Sequence, residues 1–289
     1  MKCPRPISVP YRGSVPCGQC LQCRINHQRC KAARLMLEST QHAYASFITL
    51  TYSPEHLPYT KPPLGEAPQA TLWYPDLQKF LKRLRKAYTP SYGYLRHYAV
   101  GEYGDQTDRP HYHAIIFGLP AVHEEEIRDI WGLGLVEQTD FLEQRAMYCA
   151  HYTVKKLNST SPKLDGRQPE KAMMSKRPGI GAGVVPVLAE AIAKKDYQGV
   201  IQETGDIPHC FRMNGRIWPL DYYMLTKLRL ELGIPLRQSD RTSGLIPVSL
   251  TEEEQAINLE RENWLYARRK NRNAPPKAPQ GPHPTAHRT

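Results

Sequence analysis

The chain has 289 residues, 40% apolar and 23% charged, which suits one large or two small folded domains and excludes a wholly disordered or coiled-coil chain. Nothing approaches the roughly 18 uninterrupted apolar residues of a membrane helix; the longest candidate, Val184 to Ala193, is short and carries Glu190. The net charge of +11 is uneven: seven Lys/Arg and no acid in residues 1–37, six and no acid in 268–289, with the remaining 26 basic residues facing all 28 acids.

Cationic ends of this kind suit a nucleic-acid partner held by counterion release; the ordinary alternative is that they only solubilise the chain. The opening MKCPRPISVPYRG has no apolar run behind its basic residues, so a secretory signal is not expected. Seven cysteines in such a chain imply reduced thiols in a cytosol.

The expected fold class is α+β, with a central antiparallel β-sheet flanked by helices, a Cys-rich N-terminal arm and a helical, basic C-terminal region. Residues 1–36 read as the Cys-rich basic arm and 37–160 as the α+β core. Residues 161–250 read as an accessory region packed on that core, and 251–289 as a last helix and a disordered basic tail.

Within the core, Phe47–Tyr52 (FITLTY) is a β-branched and aromatic strand that stops at Ser53-Pro54. Pro75 and Asp76 open a helix with Leu77, Phe80, Leu81, Leu84 and Tyr88 on its apolar face. Lys79, Lys82, Arg83 and Lys86 share another face, either a solvated one or a track for a phosphate backbone. Leu95–Tyr103 and His111–Leu119 read as two strands of an antiparallel hairpin around the turn formers GDQTDRP. Helices are expected at Glu124–Trp131 and Glu143–Leu157, with a strand at Gly134–Thr139 between them. Further on, a helix is expected near Tyr222–Leu232, and another opens at Thr251 with acids at its start and Arg268–Lys270 at its end.

Three groups of residues carry chemistry. In the strand Arg109-Pro110-His111-Tyr112-His113, His111 and His113 are i and i+2 and point to the same side. They can take two adjacent positions on one metal ion, or stand as two histidines at an exposed strand start. Glu102, on the partner strand near the same level, is a candidate third ligand, unless it pairs with Arg109. A carboxylate with two imidazoles suits Mg²⁺ or Mn²⁺, leaving positions for water and phosphate oxygens.

The second group is Tyr148-Cys149-Ala150-His151-Tyr152-Thr153-Val154-Lys155. Tyr148 and Tyr152 are i and i+4 on a helix and sit one above the other, with Arg145 and Lys155 on their stripe. Ala146, Ala150, Val154 and Leu157 form the expected core stripe. The bland alternative is a surface tyrosine pair with cationic neighbours.

The third group is Cys17, Cys20, Cys23 and Cys30, with Cys3 and His27 near them in sequence. Thiolates at CxxC spacing suit a tetrahedral structural Zn²⁺. An iron–sulfur cluster lacks the rest of its pattern, and plain reduced cysteines are the other alternative. Spacing leaves open which four groups would ligate. Cys149 and Cys210 read as core residues. Gly179-Ile180-Gly181-Ala182-Gly183 does not complete a dinucleotide fingerprint and follows no strand.

The order FITLTY, RPHYHAIIFG, YCAHYTVKK resembles the three motifs of the HUH endonucleases, the rolling-circle replication initiators. The two-tyrosine arrangement is similar to the Microviridae initiators, and PCGQCLQCR, GEYGD and MSKRPGIGAG look like the gokushovirus group within them. The resemblance covers residues 16 to about 183. It implies an HUH-like sheet, a divalent cation on His111, His113 and Glu102, and a tyrosine that nicks single-stranded or origin DNA through a 5′-phosphotyrosine link. Tyr152 and Tyr148 would be the nucleophiles and Lys155 would assist. In related initiators a lysine often follows the first tyrosine by three residues; Tyr152 has Lys155 there, whereas Tyr148 has His151, which puts Tyr152 forward for the first attack. A host helicase and polymerase, and action in the host cytoplasm, follow from the same resemblance. Relaxases place their tyrosine before the histidines, unlike this chain. The competing readings are a metal phosphodiesterase that uses water, and a non-catalytic single-strand binding protein with a structural zinc.

Overall fold

The computed structural model describes residues 3–9, 13–61, 67–104, 107–155, 166–194, 201 and 206–234. The helix and tail expected beyond Thr251 therefore lie outside the described residues. The chain divides into two compact units, one holding residues 1–26 and the other His27–Leu236.

In the first unit, β1 (Ile7–Val9) pairs antiparallel with β2 (Gly13–Val15). Helix α1 (Leu21–Ser39) begins in this unit and continues into the second. Residues 27–36, expected to belong to a basic arm, are thus helical and buried for much of their length. Ala32, Ala33, Leu35 and Met36 form the packing face. Arg34 is not a free cation: it donates to the Ile180 carbonyl and bonds Asp221 at 3.2 Å.

The second unit is built on a five-stranded antiparallel sheet with spatial order β6-β3-β5-β4-β7. The strands are β3 (Ala45–Tyr52), β4 (Arg96–Tyr103), β5 (Pro110–Phe117), β6 (Gly134–Asp140) and β7 (Ala172–Met174). Alternation sorts their side chains onto two faces. Ile48, Leu50, Tyr52, Ala99, Tyr103, Tyr112, Ala114 and Ile116 face α2 (Tyr74–Tyr92) and α3 (Glu124–Trp131). Phe47, Tyr98, Val100, Ile115 and Phe117 face α1 and α4 (Glu143–Lys155). Each fully buried Leu, Ile or Phe contributes ~1.5–3 kcal/mol, so the neighbouring strands β4, buried at every position, and β5, buried at nearly every one, anchor the sheet.

Helix α2 buries Leu77, Phe80, Leu81, Leu84 and Tyr88, as its spacing predicts. Its start is pinned to the sheet, with the Tyr52 hydroxyl donating to Asp76 at 3.1 Å and Trp73 N–H donating to the Tyr112 hydroxyl at 2.7 Å. Of its basic face, Lys79, Lys82 and Lys86 are exposed, whereas Arg83 donates to the Ile130 and Trp131 carbonyls at the end of α3. That contact satisfies carbonyls a helix C-terminus leaves open.

A third core joins Leu37 to α5 (Val185–Lys194) and α6 (Tyr222–Glu231). Asp221 caps α6 by accepting from Met224 N–H. Buried Arg229 pairs with Asp206. A hairpin of β8 (Cys210–Met213) and β9 (Arg216–Pro219) turns at Asn214-Gly215, both at positive φ. Cys210, expected in the core, is exposed on it because its strand is short and solvated on that side, while Cys149 is fully buried as expected. Among the described residues no helix is long and apolar enough to cross a membrane.

The glycine run at 179–183 has a packing role. At Gly181, with φ +81°, a Cβ would lie 2.9 Å from the Arg34 carbonyl oxygen, and at Gly179 it would lie 2.7 Å from the Tyr223 hydroxyl. Glycine lets residue 181 approach α1 and residue 179 approach Tyr223 on α6.

Candidate metal centre and tyrosine helix

The β4–β5 register sets Glu102 directly opposite His111, and Val100 opposite His113. Because His111 and His113 are two apart on β5, both rings rise on the α1/α4 face beside Glu102. The Glu102 Oε2 lies 3.5 Å from His111 Nε2 and 3.4 Å from His113 Nε2. The two Nε2 atoms are 3.1 Å apart. Arg109, the alternative partner weighed for Glu102, instead donates to the Tyr52 carbonyl.

The outer nitrogens fix the rings. His111 Nδ1 lies 3.1 Å from the Arg109 carbonyl oxygen, which can only accept, so this nitrogen carries the proton. His113 Nδ1 meets Thr49 Oγ1 at 3.2 Å, on the neighbouring strand β3 where Thr49 is in register with His113. With that nitrogen donating too, both Nε2 lone pairs and a carboxylate oxygen face one point. Such an arrangement repels itself unless a cation or proton lies between them, and two imidazoles with a carboxylate form a set that divalent cations accept. The three ligand atoms lie within 4.8 Å of one another.

Burial opposes protonation of both rings, with opposite outcomes. At His111 the Glu102 carboxylate and the Arg109 carbonyl overcome it, and the pKa rises above the ordinary histidine value. At His113 burial, reinforced by His111 and Arg145, outweighs Glu102, and the pKa falls.

Helix α4 crosses this face. Ala146, Cys149 and Ala150 are fully buried, and the Met147 carbonyl accepts from Gln28 on α1 at 3.0 Å. Tyr148 lies at the edge of this packing face, not off it. Its hydroxyl is 3.3 Å from His113 Nε2, and its ring stands edge-on to His113 with centroids 5.1 Å apart. Phe47 stacks on His113 with centroids 5.4 Å apart and meets the Tyr148 ring edge-on at 6.3 Å, and Arg145 lies over Phe47 at 4.7 Å. The backbone of α4 carries Tyr152 one turn after Tyr148 and ends at Lys155, but the side chains of both lie outside the described residues. Arg145 belongs to the tyrosine stripe already read from the sequence, whereas Thr49 and Phe47 are site-forming residues that the motifs do not single out. Thr49 and Phe47 were legible only in that they alternate on FITLTY, on the face that His113 shares.

Of the cysteines proposed as zinc ligands, Cys17, Cys20 and Cys23 come together, and Cys3, not Cys30, completes the group. Cys30 is seven residues beyond Cys23 on α1, roughly 10 Å along a helix, and it faces the charge of Asp221.

Residues 45–157 match the model of the replication-associated protein ORF2 family. They run from the first residue of β3 to just past α4 and contain the whole Glu102, His111, His113 and tyrosine set. The chain is also 32% identical over 234 residues to the replication-associated protein ORF2 of Spiroplasma virus 4, covering 73% of this chain and 71% of that protein. The chain belongs to the family of replication-associated proteins. Over 162 residues it is 33% identical to the replication-associated protein VP4 of Bdellovibrio phage phiMH2K, covering 49% of this chain and 48% of the relative. With the replication-associated protein ORF4 of Chlamydia phage 1 it shares 28% identity over 162 residues, covering 49% of this chain and 38% of the relative. No solved structure matches the chain. Among replication-associated proteins, this chain therefore holds its carboxylate–imidazole cluster and its tyrosine helix inside the segment that the family model matches, while the four-cysteine group lies before it.

Proposed function

We propose that this chain is a replication-initiation endonuclease that nicks single-stranded or origin DNA by tyrosine transesterification and rejoins the product in rolling-circle replication of a small single-stranded DNA phage. The observation that carries the reading is the meeting of the Tyr148 hydroxyl with the Glu102–His111–His113 cluster. The family membership supports a replication role for it.

Glu102, His111 and His113 would hold a divalent cation, Mg²⁺ or Mn²⁺, which when bound supplies polarisation of the scissile phosphate and stabilises its developing charge. Tyr148 supplies the first phenolic oxygen. It forms a bond to phosphorus as the bond from phosphorus to the 3′ oxygen breaks. The phenol gives its proton to solvent and the leaving 3′ oxygen takes one up. One phosphodiester replaces another, so the bond energy is kept in the tyrosine link and no nucleotide cofactor is consumed. The freed 3′-OH is then a primer.

Tyr152, one turn later on α4, performs the second exchange, which releases and closes the circle. Lys155 and Arg145 offer cations to the phosphate oxygens, and the phenols need such help because their ordinary pKa of about 10 makes them weak nucleophiles at neutral pH. Unwinding falls to a host helicase and extension to a polymerase, in the host cytoplasm.

The test is incubation of the full chain with an origin-containing single strand and Mn²⁺, followed by denaturing gel analysis. A covalent protein–DNA adduct that disappears on tyrosine substitution is the expected result. Cleavage that leaves a protein-free 5′ end would identify a water-using phosphodiesterase. Binding without cleavage, indifferent to His111→Ala, would identify a non-catalytic single-strand binder.

A further inference from the structure

Cys3 precedes β1, Cys17 follows β2, Cys20 stands just before α1, and Cys23 lies in the first turn of that helix. Their sulfurs nevertheless gather within 4.8 Å of one another. Cys3 Sγ is 3.5 Å from Cys17 Sγ and 3.8 Å from Cys20 Sγ. None of the four is in a disulfide. Four thiolates around one zinc at ~2.3 Å stand about 3.8 Å apart along the edges of a tetrahedron, close to the 3.5 and 3.8 Å separations of Cys3 from Cys17 and Cys20. An iron–sulfur cluster spreads its four thiolates over two or more irons, so they cannot all stand at the edge length of one tetrahedron.

The backbone already addresses these sulfurs. Cys17 N–H donates to Cys3 Sγ at 3.4 Å, Cys20 N–H to Cys17 Sγ at 3.3 Å and Cys23 N–H to Cys20 Sγ at 3.5 Å. Donors aimed at sulfur stabilise it as a thiolate, the form that binds metal. Strands β1 and β2 have three residues each, and Ile7 is 50% exposed, so this hairpin buries little apolar surface of its own. A hairpin that short does not hold itself in water.

We infer that Cys3, Cys17, Cys20 and Cys23 bind one structural Zn²⁺ that fastens the β1–β2 hairpin to the first turn of α1. Each thiol releases its proton to solvent as it ligates, and the closed four-sulfur shell leaves no position for substrate. This site is separate from the carboxylate–imidazole cluster and does not depend on the endonuclease reading.

The test measures metal in the full chain, purified under reducing conditions and desalted. Inductively coupled plasma mass spectrometry is expected to find about one zinc per chain in the wild type and equally in a His111→Ala/His113→Ala variant. Cys3→Ser and Cys23→Ser should lose it, and Cys30→Ser should keep it. Cobalt added to the metal-stripped wild type should give the intense visible bands of tetrahedral cobalt and a near-ultraviolet thiolate charge-transfer band, a readout that needs no variant to fold. Absence of zinc together with absence of those bands overturns the inference. So does loss of zinc in the histidine variant, iron with acid-labile sulfide, or loss on Cys30→Ser with retention on Cys3→Ser.

Discussion

Tyr148 and His113 come from a helix and a strand 35 residues apart, and the phenol oxygen of one rests 3.3 Å from the ring nitrogen of the other. That contact ties the helix to the carboxylate–imidazole cluster, and it is the ground on which Tyr148 is proposed for the first attack. Tyr148→Phe should lower formation of the first DNA adduct by about a thousandfold or more. Tyr152→Phe should leave that adduct and abolish the later joining of ends. Gel assays with one nicking strand and one acceptor strand separate the two steps, and the opposite pattern would restore Tyr152 to the first attack.

Thr49 orients His113 without touching the cation position itself, through the 3.2 Å contact to Nδ1. Thr49→Val removes that contact at nearly constant volume. Loss of such an outer partner typically costs ~10–100-fold in metal affinity. Electron paramagnetic resonance titration with Mn²⁺ should show weakening in that range, and Thr49→Ser should recover it. A valine variant that binds as the wild type does would mean that Thr49 is only packing.

Glu38, on α1, accepts from Arg96 on β4, from Gly181 N–H and from His42. Burial alone would raise its pKa, but these donors together hold it below the usual carboxylate value. A carboxylate with a lowered folded-state pKa gives stability that is present above its unfolded value of about 4.3 and lost as pH falls through the folded value. Glu38→Gln should therefore flatten the acid limb of the urea-melting profile. It should also destabilise the protein by ~3–5 kcal/mol at neutral pH, since Arg96 is left buried and uncompensated.

His97 behaves differently. Burial, with Arg85 and Arg96 nearby, pushes its pKa down to about 4, and Arg85 donates to its Nδ1 at 2.6 Å. Its unfolded state binds a proton more readily than its folded state between about pH 6.5 and 4. Stability should thus be full above that window and fall by roughly 1.4 kcal/mol per pH unit within it as the solution is acidified. Replacing His97 with Gln should remove this slope, leaving the steeper loss near pH 4 that belongs to the carboxylates.

The sheet was legible because its strands are β-branched, aromatic and bounded by turn formers. The Glu102–His111 pairing followed once Leu95–Tyr103 and His111–Leu119 were read as a hairpin. Helix α1 was not legible for the opposite reason. Its first half carries Cys, Gln and Arg, and it buries Gln28, Arg34 and Glu38 through specific partners, so composition resembled a solvated arm. Hairpin β8–β9 carries one sequence signal, Asn214-Gly215, the dipeptide that two-residue turns favour, between FRM and RIW. Its strands are four residues long and mostly solvated, so alternation was weak. Cys3 stands beside the cluster in the sequence, but spacing does not choose it over Cys30, because only the closing of a hairpin brings it to Cys17.

Strand β5 is zipped along both edges, to β3 on one side and β4 on the other. Shifting His111 or His113 would mean unpicking the middle of the sheet, so the imidazoles work as a fixed anvil. If the proposed strand exchange takes place here, the travel it needs falls to the hammer side, the helix that carries the phenols.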